Sequence, residues 1–276
     1  MRRPAPGPRR VPETSSRLPW PLAVPALIAV VFLLVPLIGL LARAPWRALP
    51  SLLAEPQIRE ALRLSLLSAT LATVVSLLIG VPLAWVLARS TLPGISLLRA
   101  LVTLPLVLPP VVGGVALLLA LGRRGLVGQY LDAWFGVTLP FTTTGVVIAE
   151  TFVAMPFLVV TVEGALRSSD KGLEEAAATL GSGPLATFWR VTLPLIGPSL
   201  LAGSVLCWAR ALGEFGATIT FAGNFPGRTQ TMPLAVYLAL ERDPDAAIAL
   251  SLVLLLVSVA ALVLLRERWL GGGARL

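Results

Sequence analysis

The sequence predicts an all-α, polytopic membrane protein of about six transmembrane helices with one helical loop between the fourth and fifth, and three observations carry that reading. Hydrophobic residues make up 56% of the chain and charged residues 13%, whereas a soluble globular domain carries about 25% charged residues. With a mean hydropathy of +0.87, the chain has too few polar side chains to cover a surface in water. The apolar residues gather into runs of roughly 20, the length a helix needs to cross a hydrocarbon core about 30 Å thick. Finally, Arg and Lys stand mostly at the ends of these runs.

Taken in order, residues 1–19 hold Arg2, Arg3, Arg9, Arg10 and Arg17 among prolines and read as a disordered basic N-terminal tail. The run 20–41 reads as the first transmembrane helix. At about 21 residues it exceeds the 7–15 of a signal-peptide core, so Ala42-Arg43-Ala44 is not taken as a cleavage site and the span is retained. The later spans are expected at 61–88, 97–121, 143–166, 194–216 and 246–265, within a transmembrane domain covering residues 60–265. Residues 266–276 form a short tail. The run 61–88 is long and has Arg63 near its start, so it extends beyond the hydrocarbon or tilts. The run 97–121 contains Leu104-Pro105-Leu106-Val107-Leu108-Pro109-Pro110. Three prolines remove three backbone donors, so a broken or kinked helix is expected, with the freed carbonyls facing protein or a wet cavity. A simple packing kink and a pathway lining both fit.

Orientation follows from the basic residues. With the N-terminus inside, the cytoplasmic segments hold Arg2, Arg3, Arg9, Arg10, Arg17, Arg89, Arg99, Arg167, Lys171, Arg190, Arg266, Arg268 and Arg275, more than the opposite loops with Arg43, Arg47, Arg59, Arg63, Arg123, Arg124, Arg228 and Arg242. Both termini are therefore expected in the cytoplasm. The formal net charge of +8 has the same explanation. No basic stripe interleaved with aromatics is present, so nucleic acid is not an expected partner. The single Cys207 lies in an apolar run and reads as a packing residue, and with no His in the chain a His-based metal site or His general base is excluded.

The polar interlude between the fourth and fifth spans has its own physics. Asp170 can cap a short helix, with Glu174 and Glu175 near its positive end. Leu173, Ala176 or Ala177, and Leu180 recur at helical spacing. Gly181 stands where a left-handed terminating residue belongs. Pro184 can open a second short helix carrying Leu185, Phe188 and Trp189, and Pro194 is expected to begin the fifth span. Such a helix-turn-helix is too short to be a domain, and its apolar surface calls for a partner or for the headgroup layer.

Glu175-Ala176-Ala177, Gly181 and Val191-Thr192-Leu193-Pro194 together resemble the loop by which permease subunits of ABC importers dock onto their ATPase, with Val where that family prefers Ile. The resemblance implies a coupling-helix loop in the cytoplasm. Glu175 would be its charged contact, Ala176 and Ala177 its close-packing residues, Gly181 its turn, and Leu193 and Pro194 its far end. Residues 209–237, from Ala209-Arg210-Ala211-Leu212-Gly213-Glu214 through Asn224 to Tyr237, closely resemble molybdate ABC-transporter permeases, as do Leu104–Pro110 and Leu121–Gly125. Sulfate permeases share the Ala-Leu-Gly-Glu core but usually differ over the stretch matching Thr218–Thr231. The resemblance implies a multi-pass protein of the bacterial inner membrane importing molybdate, with tungstate or sulfate as alternatives. It further implies a dimer of ABC ATPase subunits, an external molybdate-binding protein and a second copy of the chain as partners.

Inside the fifth span, Arg210 and Glu214 are one helical turn apart. Counted from the outer span ends, Glu150 and Arg210 both lie about 10 Å deep. A charge at that depth faces protein rather than lipid, so Arg210 is expected to pair with Glu214, Glu150 or both. Gly213 and Gly216 are expected to serve close packing ahead of hinging. Thr218, Thr220, Asn224, Thr229 and Gln230 offer uncharged polar groups that could guide an anion weakly.

The sequence carries no Gly-x-x-x-x-Gly-Lys-Ser/Thr phosphate loop, so no cofactor is expected on this chain and ATP belongs to the partner ATPase. No nucleophile-base-acid constellation is visible, which disfavours an enzyme embedded in the membrane. A secondary transporter would need inverted repeats and a midplane ion site, and would leave the cytoplasmic loop unexplained.

Overall fold

The computed structural model describes residues 20–270, and the basic tail read at 1–19 and the last residues, 271–276, lie outside them. All regular structure among the described residues is helical. The chain divides into a unit ending at Arg43 and a second unit from Ala44 onward. In the first, α1 (Trp20–Ala42) is apolar along its whole length, with Pro25 and Pro36 inside it. It is long enough to cross a bilayer.

The second unit begins with α2 (Leu49–Ala54) and the 34-residue α3 (Pro56–Arg89). At 1.5 Å per residue α3 measures about 51 Å, more than the hydrocarbon thickness, as its long apolar run requires. The third expected span is two helices, α4 (Ile95–Val107) and α5 (Pro110–Leu121), turned 118° at Leu108-Pro109. Pro105 is accommodated within α4, while Pro109 and Pro110 cap and open α5, where a missing N–H costs nothing. The short α6 (Gly128–Phe135) leads to α7 (Thr143–Ser168). Its start is fixed by Thr142, whose Oγ1 accepts from Gly145 N at 3.0 Å.

Beyond the loop helices, α11 (Gly197–Leu212) begins three residues later than Pro194 and stops short of 216. The preceding run, Pro184–Leu195, meets it at 75°. Pro198 lacks the N–H that would have continued the earlier helix, and this explains the later start. The early stop arises at Gly213–Phe215, after which α12 (Gly216–Phe221) restarts the helix. Two further helices follow, α13 (Met232–Arg242) and α14 (Pro244–Leu270). No span was expected over α13, and α14 runs on into the stretch read as the tail. Among the described residues, four helices are long and apolar enough to cross a membrane, or up to six if each bent pair is one span.

Helices α3, α7 and α11 form the main core. Ala69, Ala72 and Ala84 of α3 meet Leu158, Val159 and Val162 of α7 and Cys207 and Ala211 of α11, all buried. Small residues let the helices approach closely where lipid offers no hydrophobic driving force. A Cβ at Gly80 would lie 3.2 Å from Val159, and one at Gly203 would lie 3.1 Å from Leu158. A second cluster joins Ile58 and Ala61 to Met232, Leu250 and Val253, and a third joins Leu117, Ala149 and Val153 to Ala217 and Phe221.

Candidate functional site

Two polar regions interrupt this apolar body. The first is the loop after α7. Asp170 caps α8 (Lys171–Thr179) through Oδ1, which accepts from Gly172 N at 2.8 Å. The helix ends in a left-handed Gly181 at φ 85°. Ser182 N donates to Ala177 O and Gly181 N to Ala178 O, both at 3.0 Å, the paired closure of a Schellman turn. The chain then runs through α9 (Pro184–Thr187), a π-helical turn (Phe188–Thr192) and α10 (Leu193–Leu195). The second short helix expected from Pro184 is therefore a composite. Its π turn stacks Trp189 edge-on against Phe188, with ring centroids 5.6 Å apart.

The outward face of this loop carries Leu173, Leu180, Leu185 and Trp189, with Leu180 89% exposed. Glu175 and Ala176 are also exposed, and Ala177 is half-buried. Pro194 is exposed and Leu193 half-buried. The inward contact belongs to Glu174. Its Oε1 accepts from Arg89 Nη2 at 2.8 Å and from Thr192 Oγ1 at 3.0 Å. Sequence reasoning singled out the neighbouring Glu175 and left the partner of Glu174 unidentified, because Arg89 lies 85 residues earlier. A second ionic knot sits at the same end of the bundle. Glu163 Oε1 accepts from Arg99 Nε at 2.7 Å and from Arg167 Nε at 2.9 Å. The same two arginines donate to Leu87 O, an end carbonyl of α3 that needs donors.

The second region is the break between α11 and α12. Arg210 Nη1 lies 2.6 Å from Glu214 Oε2. The other carboxylate oxygen, Oε1, accepts from Ala217 N at 2.7 Å, so one side chain both pairs the Arg and caps the restarted helix. Glu214 is buried, and a quarter of the Arg210 side chain is exposed. Glu150 is buried too, but its Oε1 accepts from Ser68 Oγ at 2.8 Å and its Oε2 has no protein partner. Of the two pairings expected for Arg210, the one with Glu214 is the one formed.

The two glycines have different surroundings. A Cβ at Gly216 would stand 2.9 Å from Pro110 Cβ and 3.0 Å from Val111 N, so Gly216 serves close packing. Across the same contact, a Cβ at Gly114 would stand 2.8 Å from Ala217 O. Gly213 would meet only Ala209 O at 3.6 Å, so it marks the break, not a close contact. Among the uncharged groups, Thr218 is fully buried with Oγ1 unpartnered, and Thr220 Oγ1 donates to Gly216 O. Asn224 is half-buried, and its Oδ1 has no partner. Thr229 and Gln230 are buried, with Thr229 Oγ1 accepting from Phe225 N and Gln230 Oε1 from Gln57 Nε2. Beside the break, Gly213, Phe215, Tyr237 and Ser258 line an apolar groove of about 500 Å³ that also touches α13 and α14.

No group of His, Cys, Asp and Glu able to hold a metal occurs among the described residues. At the far side of the bundle, Asp132 accepts from Arg123 Nε at 2.8 Å, and the carboxylate pushes the guanidinium pKa up.

Comparison with known proteins bears on both regions. Residues 80–271 match the family of binding-protein-dependent transport system inner membrane components, a stretch that contains the loop and the break. The chain is 51% identical over 258 residues to the "Molybdenum transport system permease protein ModB" of Mycobacterium tuberculosis, covering 94% of this chain and 95% of that one. It is 36% identical over 245 residues to the "Sulfate transport system permease protein CysT" of Salmonella typhimurium, covering 87% and 88%. Its fold is similar to a chain in the crystal structure of a bacterial alginate ABC transporter in complex with an alginate pentasaccharide-bound periplasmic protein. The TM-score there is 0.74 at 19% identity, with 90% and 92% of the two chains covered.

Proposed function

The chain belongs to the family of binding-protein-dependent transport system inner membrane components, within its molybdate and sulfate branch, and from that membership we propose that it carries molybdate across the bacterial inner membrane. It is a multi-pass ABC importer permease subunit for an oxyanion, and it is not itself catalytic. The observation that carries the finer reading is the higher identity to the molybdenum permease, over nearly the whole chain, than to the sulfate one.

In this reading an external binding protein delivers molybdate and two copies of the chain form the pathway. A pair of ATPase subunits docks on the loop Lys171–Pro194, with both termini on the same cytoplasmic side. The exposed face formed by Leu173, Leu180, Leu185 and Trp189 supports docking. Buried aromatic and aliphatic anchors with a polar surround are what a stable interface needs. Glu175, exposed beside them, would meet the ATPase; Ala177 sits close to the chain's own surface. ATP binding and release would then swing the loop and expose the pathway alternately to the two sides.

The region around the helix break supports the passage of an anion more than its storage. Arg210 is already neutralised by Glu214 at 2.6 Å, and Thr218, Thr220 and Asn224 are uncharged. Weak contacts of this kind let cargo leave, and selectivity then rests with the binding protein. Sulfate is the second reading, supported by the Ala211-Leu212-Gly213-Glu214 core that sulfate permeases share.

The test is ATP-dependent molybdate uptake into proteoliposomes holding this chain, its ATPase and its binding protein, with sulfate as competitor. Uptake barely reduced by excess sulfate supports molybdate import. Strong competition moves the assignment to a broader sulfate-type permease. No uptake of either anion, with the ATPase bound, overturns the substrate reading.

A further inference from the structure

We infer that Arg89 and Glu174 form a clamp that sets the angle of α8 against the membrane bundle, so that a push received by the loop reaches the spans. The inference rests on the docking role proposed above for that loop and adds two positioning residues to it.

The argument begins with how α8 is attached. Only Ser169 and Asp170, both in extended conformation, separate it from α7. A two-residue extended link has no intrinsic stiffness, so a short helix hung from it would swivel. Beyond its far end, the hydrogen-bonded turn at Gly181 and Ser182 joins α8 to α9, another piece of the same loop, and not to a span. Neither covalent end therefore fixes the orientation of α8.

Glu174 supplies what the links lack. Its Oε1 receives Arg89 Nη2 at 2.8 Å and Thr192 Oγ1 at 3.0 Å. The same Nη2 also donates to Ser169 Oγ at 2.9 Å. One carboxylate oxygen and one guanidinium nitrogen thus tie together the last turn of α3, the α7–α8 junction, α8 itself and the π-helical turn. Each group also lies at a favourable pole, with Arg89 in the last turn of α3 and Glu174 in the first turn of α8.

The surroundings make the tie strong. The Arg89 side chain is 9% exposed and that of Glu174 20%, so water screens the pair less than it would a surface bridge. Arg89 Nε and Nη1 are buried without protein partners. The guanidinium therefore has no other acid to turn to, and loss of Glu174 leaves its charge buried against only a serine hydroxyl. Meanwhile the apolar docking residues make none of the clamp's bonds and remain exposed. The surface that binds and the contact that orients are separate, so one can be removed without the other.

The test uses the full importer in proteoliposomes and reads two quantities, ATPase capture by the permease and molybdate taken up per ATP hydrolysed. Glu174→Gln and Arg89→Gln are expected to keep the ATPase bound while uptake per ATP falls about tenfold, the scale of one charge-assisted contact. Arg89→Lys, which keeps the charge, is expected to recover a large part of that ratio. Thr192→Val, which removes only one of the two bonds to Glu174, is expected to give a smaller fall and serves if Glu174→Gln fails to fold. Unchanged uptake per ATP in Glu174→Gln and Thr192→Val overturns the clamp. A wild-type chain that neither captures the ATPase nor couples its hydrolysis overturns the docking reading instead.

Discussion

Arg210 and Glu214 form an i,i+4 ion pair at 2.6 Å across a stretch of chain where the helix is interrupted. Arg210 lies in the last turn of α11 and Glu214 within the break between Leu212 and Gly216. Glu214 also receives Ala217 N, so a single carboxylate does two jobs at once.

Glu214→Gln is therefore expected to cost more than an ordinary polar substitution. Removing one partner of a buried pair costs about 3–5 kcal/mol, and the quarter-exposed Arg210 reduces this to about 1–3 kcal/mol. Thermal unfolding of the purified protein in detergent reads the loss. A double-mutant cycle is expected to show coupling between positions 210 and 214 and none between 150 and 210, where Glu150 bonds Ser68 instead. Coupling between 150 and 210 as large as that between 210 and 214 contradicts this account.

Gly181 has nothing within 4 Å of a hypothetical Cβ, so bulk there meets no clash. The constraint is its φ of 85°, which costs an L-residue roughly 1–2 kcal/mol. Gly181→Val is expected to distort the turn and uncouple ATP hydrolysis from transport. Gly181→Asn, which tolerates the left-handed region, is expected to retain most coupling. Normal coupled transport by Gly181→Val counts against the turn's role.

Gly114 and Gly216 give the opposite case, in which space decides. Gly114→Ala places a methyl 2.8 Å from Ala217 O, and overpacking of this kind costs about 1–3 kcal/mol. Gly216→Ala is expected to behave alike, whereas Gly213→Ala, with 3.6 Å to its nearest atom, is expected to leave the melting temperature nearly unchanged. Equal melting temperatures for all three variants would falsify the close-contact assignment.

The Leu180 and Trp189 side chains are exposed on the loop, 89% and 59%. Leu180→Asp and Trp189→Ala are expected to leave the fold intact and to weaken ATPase capture by about tenfold or more, as loss of a hot-spot residue does. Undiminished co-purification with the ATPase would place the docking surface elsewhere.

The apolar runs, the proline break at Leu108-Pro109 and the Gly181 turn were legible in the sequence, because each follows from local rules of length, donor loss or backbone handedness. Helix α13 was not, since its 11 residues fall short of a span and end in Glu241-Arg242. The stop of α11 at Leu212 escaped for a different reason. It depends on Glu214 reaching forward to accept from Ala217 N, a choice between helix and cap that spacing alone leaves open. The Arg89–Glu174 contact links residues 85 positions apart, and neither side chain announces its partner. Gly114 likewise reads as one more glycine in an apolar helix until Ala217 is seen against it.

The approach of Gly216 to Pro110 and Val111 has a consequence for how the chain tolerates change in length. The break in the third span and the break in the fifth meet at that contact and form one joint with two sides. A residue inserted at Leu108-Pro109 cannot be absorbed as a longer loop, because Pro110 would have to leave Gly216 and Gly114 would have to leave Ala217. Insertions belong instead beside Gly94 or Gly136, where a glycine Cβ would meet open space and no second broken helix is waiting for its partner.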